Sequence, residues 1–224
     1  MYTLSRRLPF AGLALLLVLA SGCVAGRRAI DLPLPTAAPT PATAPSTGAR
    51  GMFQLGEVTD ARTFGNEPRA PSTPSIDGDV STLSADQKQT FIGRQRNGYG
   101  AAVGDIVLAP GQSVPERVRA LLASGLRARG YTVTESASSG PSARVKVSEF
   151  WAWFSPGAFS VSFEARIRAT LEVLRDGNTN SIEVEGQRLN RGQMASDDNW
   201  QLAYSRAFEA FLTNLDKALG EAGL

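Results

Sequence analysis

From Phe159 to Val173 the chain alternates apolar with polar residues. Phe159, Val161, Phe163, Ala165, Ile167, Ala169, Leu171 and Val173 fall on one side, and Ser160, Ser162, Glu164, Arg166, Arg168, Thr170 and Glu172 on the other. Successive side chains of a strand point to opposite faces, so this spacing predicts a strand with one buried and one wet face. The segment Ala143 to Phe154 follows the same period, with Val145, Val147, Trp151 and Trp153 set against Arg144, Lys146 and Ser148. A last strand is expected near Ser181 to Asn190. Ser155-Pro156-Gly157 and Asp176-Gly177-Asn178 supply the turns between the three, which makes them an antiparallel meander. Shorter strands are expected at Met52–Val58, around Thr90–Ile92, at Asp105–Leu108 and at Tyr131–Thr134.

Two stretches follow the helical period instead. Val114, Val118, Leu121, Leu122 and Gly125 share one face of a helix expected over 114–129. Ser113 and Glu116 are spaced as a capping box, Pro115 sits in the first turn, and Gly130 follows the end. Trp200, Tyr204, Ala207, Phe208, Phe211, Leu215 and Leu219 form the apolar stripe of a helix over about 198–219, with Asp197 or Asp198 as its cap. The expected fold class is α+β, a largely antiparallel sheet (a meander) with two helices packed on one face. The region from Thr59 to Gly104 is rich in Gly, Pro, Ser, Arg and Asn, and reads as ordered loops with short strand pieces.

The N-terminus follows neither pattern. Arg6 and Arg7 precede the apolar run Leu8 to Leu19, which is shorter than the roughly 20 residues that span a bilayer and fits the core of an export signal. Ala20-Ser21-Gly22-Cys23 then resembles a bacterial lipobox, with leucine at position 19 rather than 20. Cys23 is the only cysteine, so no disulfide is available to it, and lipidation gives the thiol a use. Residues 1–22 are expected to be a lipoprotein signal peptide, and Cys23 the acylated residue that anchors the protein in a membrane. Val24 favours outer-membrane sorting by analogy with lipoproteins in general. Residues 23–50, with Pro33, Pro35, Pro39, Pro41 and Pro45 among Ala and Thr, read as a disordered linker. Such a linker reaches roughly 80 Å extended and about 30 Å as a coil. Residues 51–224 are expected to form a single periplasmic domain.

Removing the signal changes the charge. The net +2 includes Arg6 and Arg7, and the remaining chain carries 21 basic and 21 acidic side chains. A balanced chain has no long-range field for nucleic acid, and no nucleic-acid partner is expected. Histidine is absent, which excludes His-based triads, His general bases and most zinc constellations. Lysine occurs only at 88, 146 and 217, leaving few Ser-Lys options. No catalytic residue, metal site or cofactor is expected.

Two segments are candidates for binding. Ile92 to Asp105 carries Arg94 and Arg96 ahead of Gly98, Gly100 and Gly104. No helix follows directly to present its N-terminus to a phosphate, so a structured loop or hairpin whose glycines permit positive φ is the simpler reading. Phe150-Trp151-Ala152-Trp153-Phe154 sends aromatics to both faces of a strand, so they cannot all enter one core face. Either a partner grips some of them, or the 59–104 loop or the Trp200 end of the last helix covers them. Phe150, Trp151, Trp153, Phe154, Arg94 and Arg96 are therefore the candidate partner-binding residues. Arg166, Arg168 and Glu164 are most simply a solvated sheet face.

A strand ending in Val58-Thr59-Asp60-Ala61-Arg62, a helix leaving through Arg129-Gly130-Tyr131-Thr132-Val133, a meander and a closing helix behind a lipobox make a pattern. It resembles the YajG-type lipoproteins of Gram-negative bacteria, over residues 51–220. The 63–104 loop and the 150–154 segment depart from it. The resemblance implies an envelope lipoprotein with no catalytic residues to carry over. The expected function is a non-catalytic, membrane-anchored accessory or binding component of a cell-envelope complex, with transport or flagellar assembly as settings. The expected partners are the bilayer, through acylated Cys23, and an envelope protein. The alternative is a peptidoglycan-binding or peptidoglycan-acting protein that uses the 150–154 strand.

Overall fold

The alternating and helical stretches become regular structure close to their expected bounds. The computed structural model describes residues 26–35, 49–97, 99, 101–136, 139–156, 161–192 and 196–224. The strands are β1 (Arg28–Ile30), β2 (Met52–Asp60), β3 (Phe91–Arg96), β4 (Ala102–Leu108), β5 (Thr132–Thr134), β6 (Ser142–Pro156), β7 (Val161–Arg175) and β8 (Asn178–Gly192). The α-helices are α1 (Ala85–Lys88), α2 (Val114–Ala128) and α3 (Asp197–Glu221). Cys23 and the signal segment lie outside the described residues.

The meander β6–β7–β8 is antiparallel along its whole length. Arg175 pairs with Asn178 across Asp176 and Gly177, whose φ angles of 52° and 77° suit a tight hairpin that turns with the strand twist. Strand pairing continues into the expected turn at 155–157: Ser155 and Pro156 still pair with Ser162 and Val161, and residue 157 lies outside the described residues. Beyond the meander the sheet is mixed. The other edge of β6 pairs in parallel with β2 from Ser142 to Val147, then with β3 at Ala152 and Trp153. β5 extends β2 in parallel, β4 forms an antiparallel hairpin with β3, and β1 runs parallel to β4. The glycine-rich 92–105 segment is thus a hairpin, and Asn97 Oδ1 accepts from the N–H groups of Tyr99 and Ala101 at its turn.

β1 corrects the linker. Ile30 and Leu32 are 3% and 1% exposed, and Arg28 pairs with Ile106 in the sheet. The cause is legible afterwards: Ile30, Leu32 and Leu34 alternate, but over too short a span and too near prolines to stand out. Gly104 leaves room for this crossing, since a Cβ there would sit 2.2 Å from the Gly26 carbonyl oxygen.

Both long helices lie on one face, as expected. α3 crosses β7 and β8, α2 covers β2, and the helices meet where Gly125 faces Leu212 and Leu215. Val145, Val147, Phe150, Phe163, Ile167 and Leu171 meet Trp200, Tyr204, Phe208 and Phe211 in the main core. Tyr204 is fully buried and its hydroxyl donates to the Ile92 carbonyl at 2.5 Å, while burial pushes its phenol well above the ordinary value. Tyr204→Phe is expected to cost about 1–2 kcal/mol by leaving that carbonyl unpaired. Thermal unfolding should show this as a fall in Tm of several degrees with no change in the folded spectrum.

The helix starts differ in detail from expectation. Ser113 accepts from the Glu116 N–H, which is half of a capping box. The reciprocal box is at Ser84 and Gln87, on the short α1. α3 is capped by Ser196 rather than by Asp197 or Asp198, which sit in its first turn, where carboxylates complement the helix dipole.

Candidate functional site

The face of the sheet opposite the helices is organised by one extra residue. Between Val147 and Glu149 the β6–β7 register shifts, so Ser148 is a β-bulge. A bulge reverses which parity faces the core. Val145 and Val147 therefore face the helices while Trp151 and Trp153 face away, and Phe150 and Phe154 take over the core side. The structure thus corrects the side expected for Trp151 and Trp153, which an uninterrupted period of two puts with Val145 and Val147, because that period does not register an inserted residue.

Loop 61–83 covers the displaced tryptophans. Ile76, Phe91, Val107, Trp151 and Trp153 form a second apolar cluster with Phe64, Val80 and Leu83 against it. The Trp151 indole N–H donates to the Pro71 carbonyl at 3.2 Å, and Phe64 meets its ring edge-on. The candidate partner-binding aromatics are thus core residues. Phe150, Trp151, Trp153 and Phe154 are all below 8% exposed, so a partner finds almost none of their surface.

Arg94 and Arg96 also serve the interior. Arg94 is 7% exposed and lies 3.2 Å from Asp77 and 3.8 Å from Asp105. Asp105 in turn accepts from the Asp77 N–H at 2.9 Å, so the loop is held to β3 and β4. Burial pushes the Asp105 carboxyl up, against the pull of Arg94. Arg96 is half-buried, and burial with the neighbouring charge of Arg94 lowers its pKa.

The two motifs behind the YajG-type resemblance have structural work. Arg62 is completely buried and uses all its N–H donors. Nε and Nη2 grip the Asp60 carboxylate at 2.8 and 2.7 Å, Nη1 donates to the carbonyls of Phe91 and Phe150, and Nη2 to that of Lys88. This guanidinium fills the gap where β6 has left β2 and not yet met β3. Arg129 does the same for the helix ends, donating to Asp216 and to the Leu224 carbonyl.

What remains open on this face is a cleft of about 310 Å³ between loop 61–74 and strands β6 and β7. Thr63, Ser72 and Thr73 line the loop side, and Ser148, Glu149 and Arg166 the sheet side above the tryptophans. The Arg166 guanidinium lies 5.3 Å from the Trp153 ring centroid. Its Nε donates to Gln187 Oε1 at 3.0 Å, Gln187 is held by Glu164, and Glu149 and Glu185 approach Nε at 3.5 and 3.8 Å. The buried Glu149 Oε2 has no hydrogen-bond partner among the described residues and meets Arg166 only as an ion pair. The period of β7 puts Arg166 on a solvated face, but the loop that makes it a cleft residue has no periodic signal, and the bulge at Ser148 hides which way Glu149 points.

Groups of three or more residues suited to hold a metal are absent among the described residues. No helix among them is long and apolar enough to cross a membrane.

No family model matches the chain, and no curated protein matches it. Solved structures are similar in outline. A Xanthomonas campestris protein carrying the family model DUF330 aligns with TM-score 0.48 and 10% identity over 89% of this chain and 96% of its own. A protein described only as uncharacterised aligns with TM-score 0.44 and 11% identity over 86% and 97%. A Helicobacter pylori protein described as a homolog of a neuraminyllactose-binding hemagglutinin aligns with TM-score 0.29 and 13% identity over 47% and 72%.

Proposed function

We propose that this chain is a membrane-anchored envelope lipoprotein, acylated at Cys23 and sorted to the outer membrane, whose domain binds without catalysing. Kinship with the YajG-type lipoproteins belongs to this proposal, supported by the Asp60–Arg62 and Arg129-Gly130-Tyr131 motifs. The domain acts as an accessory of an envelope complex, with transport or flagellar assembly as settings. The cleft beside Glu149 and Arg166 carries the binding reading. Its lining offers charge, hydroxyls and a ring-stacked cation, and one carboxylate rather than an acid–base pair. A chain without histidine, and with its one thiol acylated, has few other routes to catalysis.

The peptidoglycan alternative keeps one supporting observation, the tryptophan floor under a polar cleft. The aromatic strand itself is replaced in that reading by the cleft above it.

The anchor is tested by feeding cells a palmitate analogue. The native chain is expected to take up label and fractionate with membranes, and Cys23→Ser to do neither. Equal labelling of both would overturn the anchor. The binding surface is tested by in-cell photo-crosslinking from position 72 on the cleft lip. A single adduct lost on Arg166→Gln is expected, and adducts only to abundant bystanders would count against a dedicated partner.

A further inference from the structure

We propose that the cleft recognises a small zwitterion, a free α-amino acid or a dipeptide, with its carboxylate on Arg166 and its ammonium on Glu149. This rests on reading the cleft as a binding site and adds the class of ligand.

Arg166 is restrained in an unusual way for a residue on an outer sheet face. Its Nε hydrogen is committed to Gln187, which Glu164 buttresses from its other side. Its Cζ lies over the Trp153 ring, 5.3 Å from the centroid, an arrangement that favours a cation over an aromatic face. Both terminal nitrogens have no hydrogen-bond partner among the described residues. The result is a guanidinium fixed at its base and stack with its outer fork free, a geometry that matches a carboxylate through two parallel hydrogen bonds. Holding the fork in advance removes part of the rotamer entropy a free arginine loses on binding.

Glu149 decides what kind of anion fits. Its carboxylate lies 3.5 Å from Arg166 Nε and lines the same cleft. A simple anion seated on the fork would meet this second negative charge, and a simple cation seated on Glu149 would meet Arg166. A ligand carrying both charges a few ångströms apart meets each with its opposite. A free α-amino acid carries such a pair on one carbon, and a dipeptide carries it at its two ends. Thr63, Ser72 and Thr73 line the same cleft, and their hydroxyls suit a peptide amide. A volume of about 310 Å³ accommodates a residue or two rather than a long chain.

The test is an NMR titration of the folded domain, following the Trp151 and Trp153 indole resonances. The probes are alanyl-alanine, its N-acetyl form, its C-terminal amide, free alanine and sodium acetate. Saturable shifts are expected with alanyl-alanine, and each blocked form should bind about tenfold or more weakly, as for loss of a charge-assisted contact. Comparing alanine with alanyl-alanine separates a free amino acid from a dipeptide. Arg166→Gln and Arg166→Lys should both weaken binding, since lysine keeps the charge and loses the fork, and Glu149→Gln should weaken the zwitterion while improving acetate. Unchanged melting temperatures will show that these variants fold, and Lys217→Gln, remote on α3, serves as the unaffected control. Acetate binding as well as alanyl-alanine would overturn the proposal and leave a plain anion site. Absence of any saturable shift would overturn it too. A crosslink from position 72 that survives that result would keep the cleft as a protein-docking surface, whereas failure of both removes the binding reading.

Discussion

Arg62→Ala is expected to destabilise the domain by about 3–5 kcal/mol, the scale for removing one partner of a buried ion pair. The reason is the number of groups it strands. Asp60 would keep a buried charge with its guanidinium gone, and the carbonyls of Phe91, Phe150 and Lys88 would lose their donor together. Urea unfolding should show a lower midpoint with little change in slope. Arg62→Lys should recover only a small part, because an ammonium cannot reach two carbonyls and a carboxylate in the plane that the fork spans. A loss below about 1 kcal/mol, as for an exposed ion pair, would contradict this account.

The second large effect is steric. Gly186→Val places a favoured strand residue in the middle of β8 and is nevertheless expected to cost about 3 kcal/mol, the upper end for overpacking. A Cβ at this position would lie 2.3 Å from the Ala207 carbonyl oxygen and 2.5 Å from the Phe211 nitrogen. Both belong to the backbone of α3, so relief requires the whole helix to move off the sheet. Asn180→Val, on the exposed end of the same strand, is expected to stay within about 0.5 kcal/mol. Equal effects from the two substitutions would show that strand propensity rather than helix approach decides.

Much of this fold is legible because its strands and helices bury one face each. Phe163 to Val173 and Val114 to Leu126 carry their periods without interruption, and both elements form where those periods run. Legibility fails where geometry departs from a fixed period. The bulge at Ser148 inverts Trp151 and Trp153; the partner change on β6 is a matter of which strands meet, and residues far apart in the chain decide that. The Asp60–Arg62 pair was visible as a motif, but its role depends on carbonyls contributed by three other segments. The cleft was least visible of all. Its sheet side is an ordinary charged stripe, and it becomes a site only because loop 61–74 stands over it.

β1 has a consequence for clearance from the membrane. In a chain acylated at Cys23, the covalent path to the folded domain stops at Gly26, where the N–H is already bonded to the Val103 carbonyl. Three residues have a contour of about 10 Å, so the domain would ride against the lipid headgroups rather than tens of ångströms away. The proline-rich stretch follows β1 in the chain, so its length contributes nothing to the leash while β1 is paired. Peeling β1 from β4, against Ile30, Leu32 and the Arg28–Asp197 ion pair, would add that stored length to the leash. The working distance of this protein would then have two settings, with a three-residue strand as the catch between them.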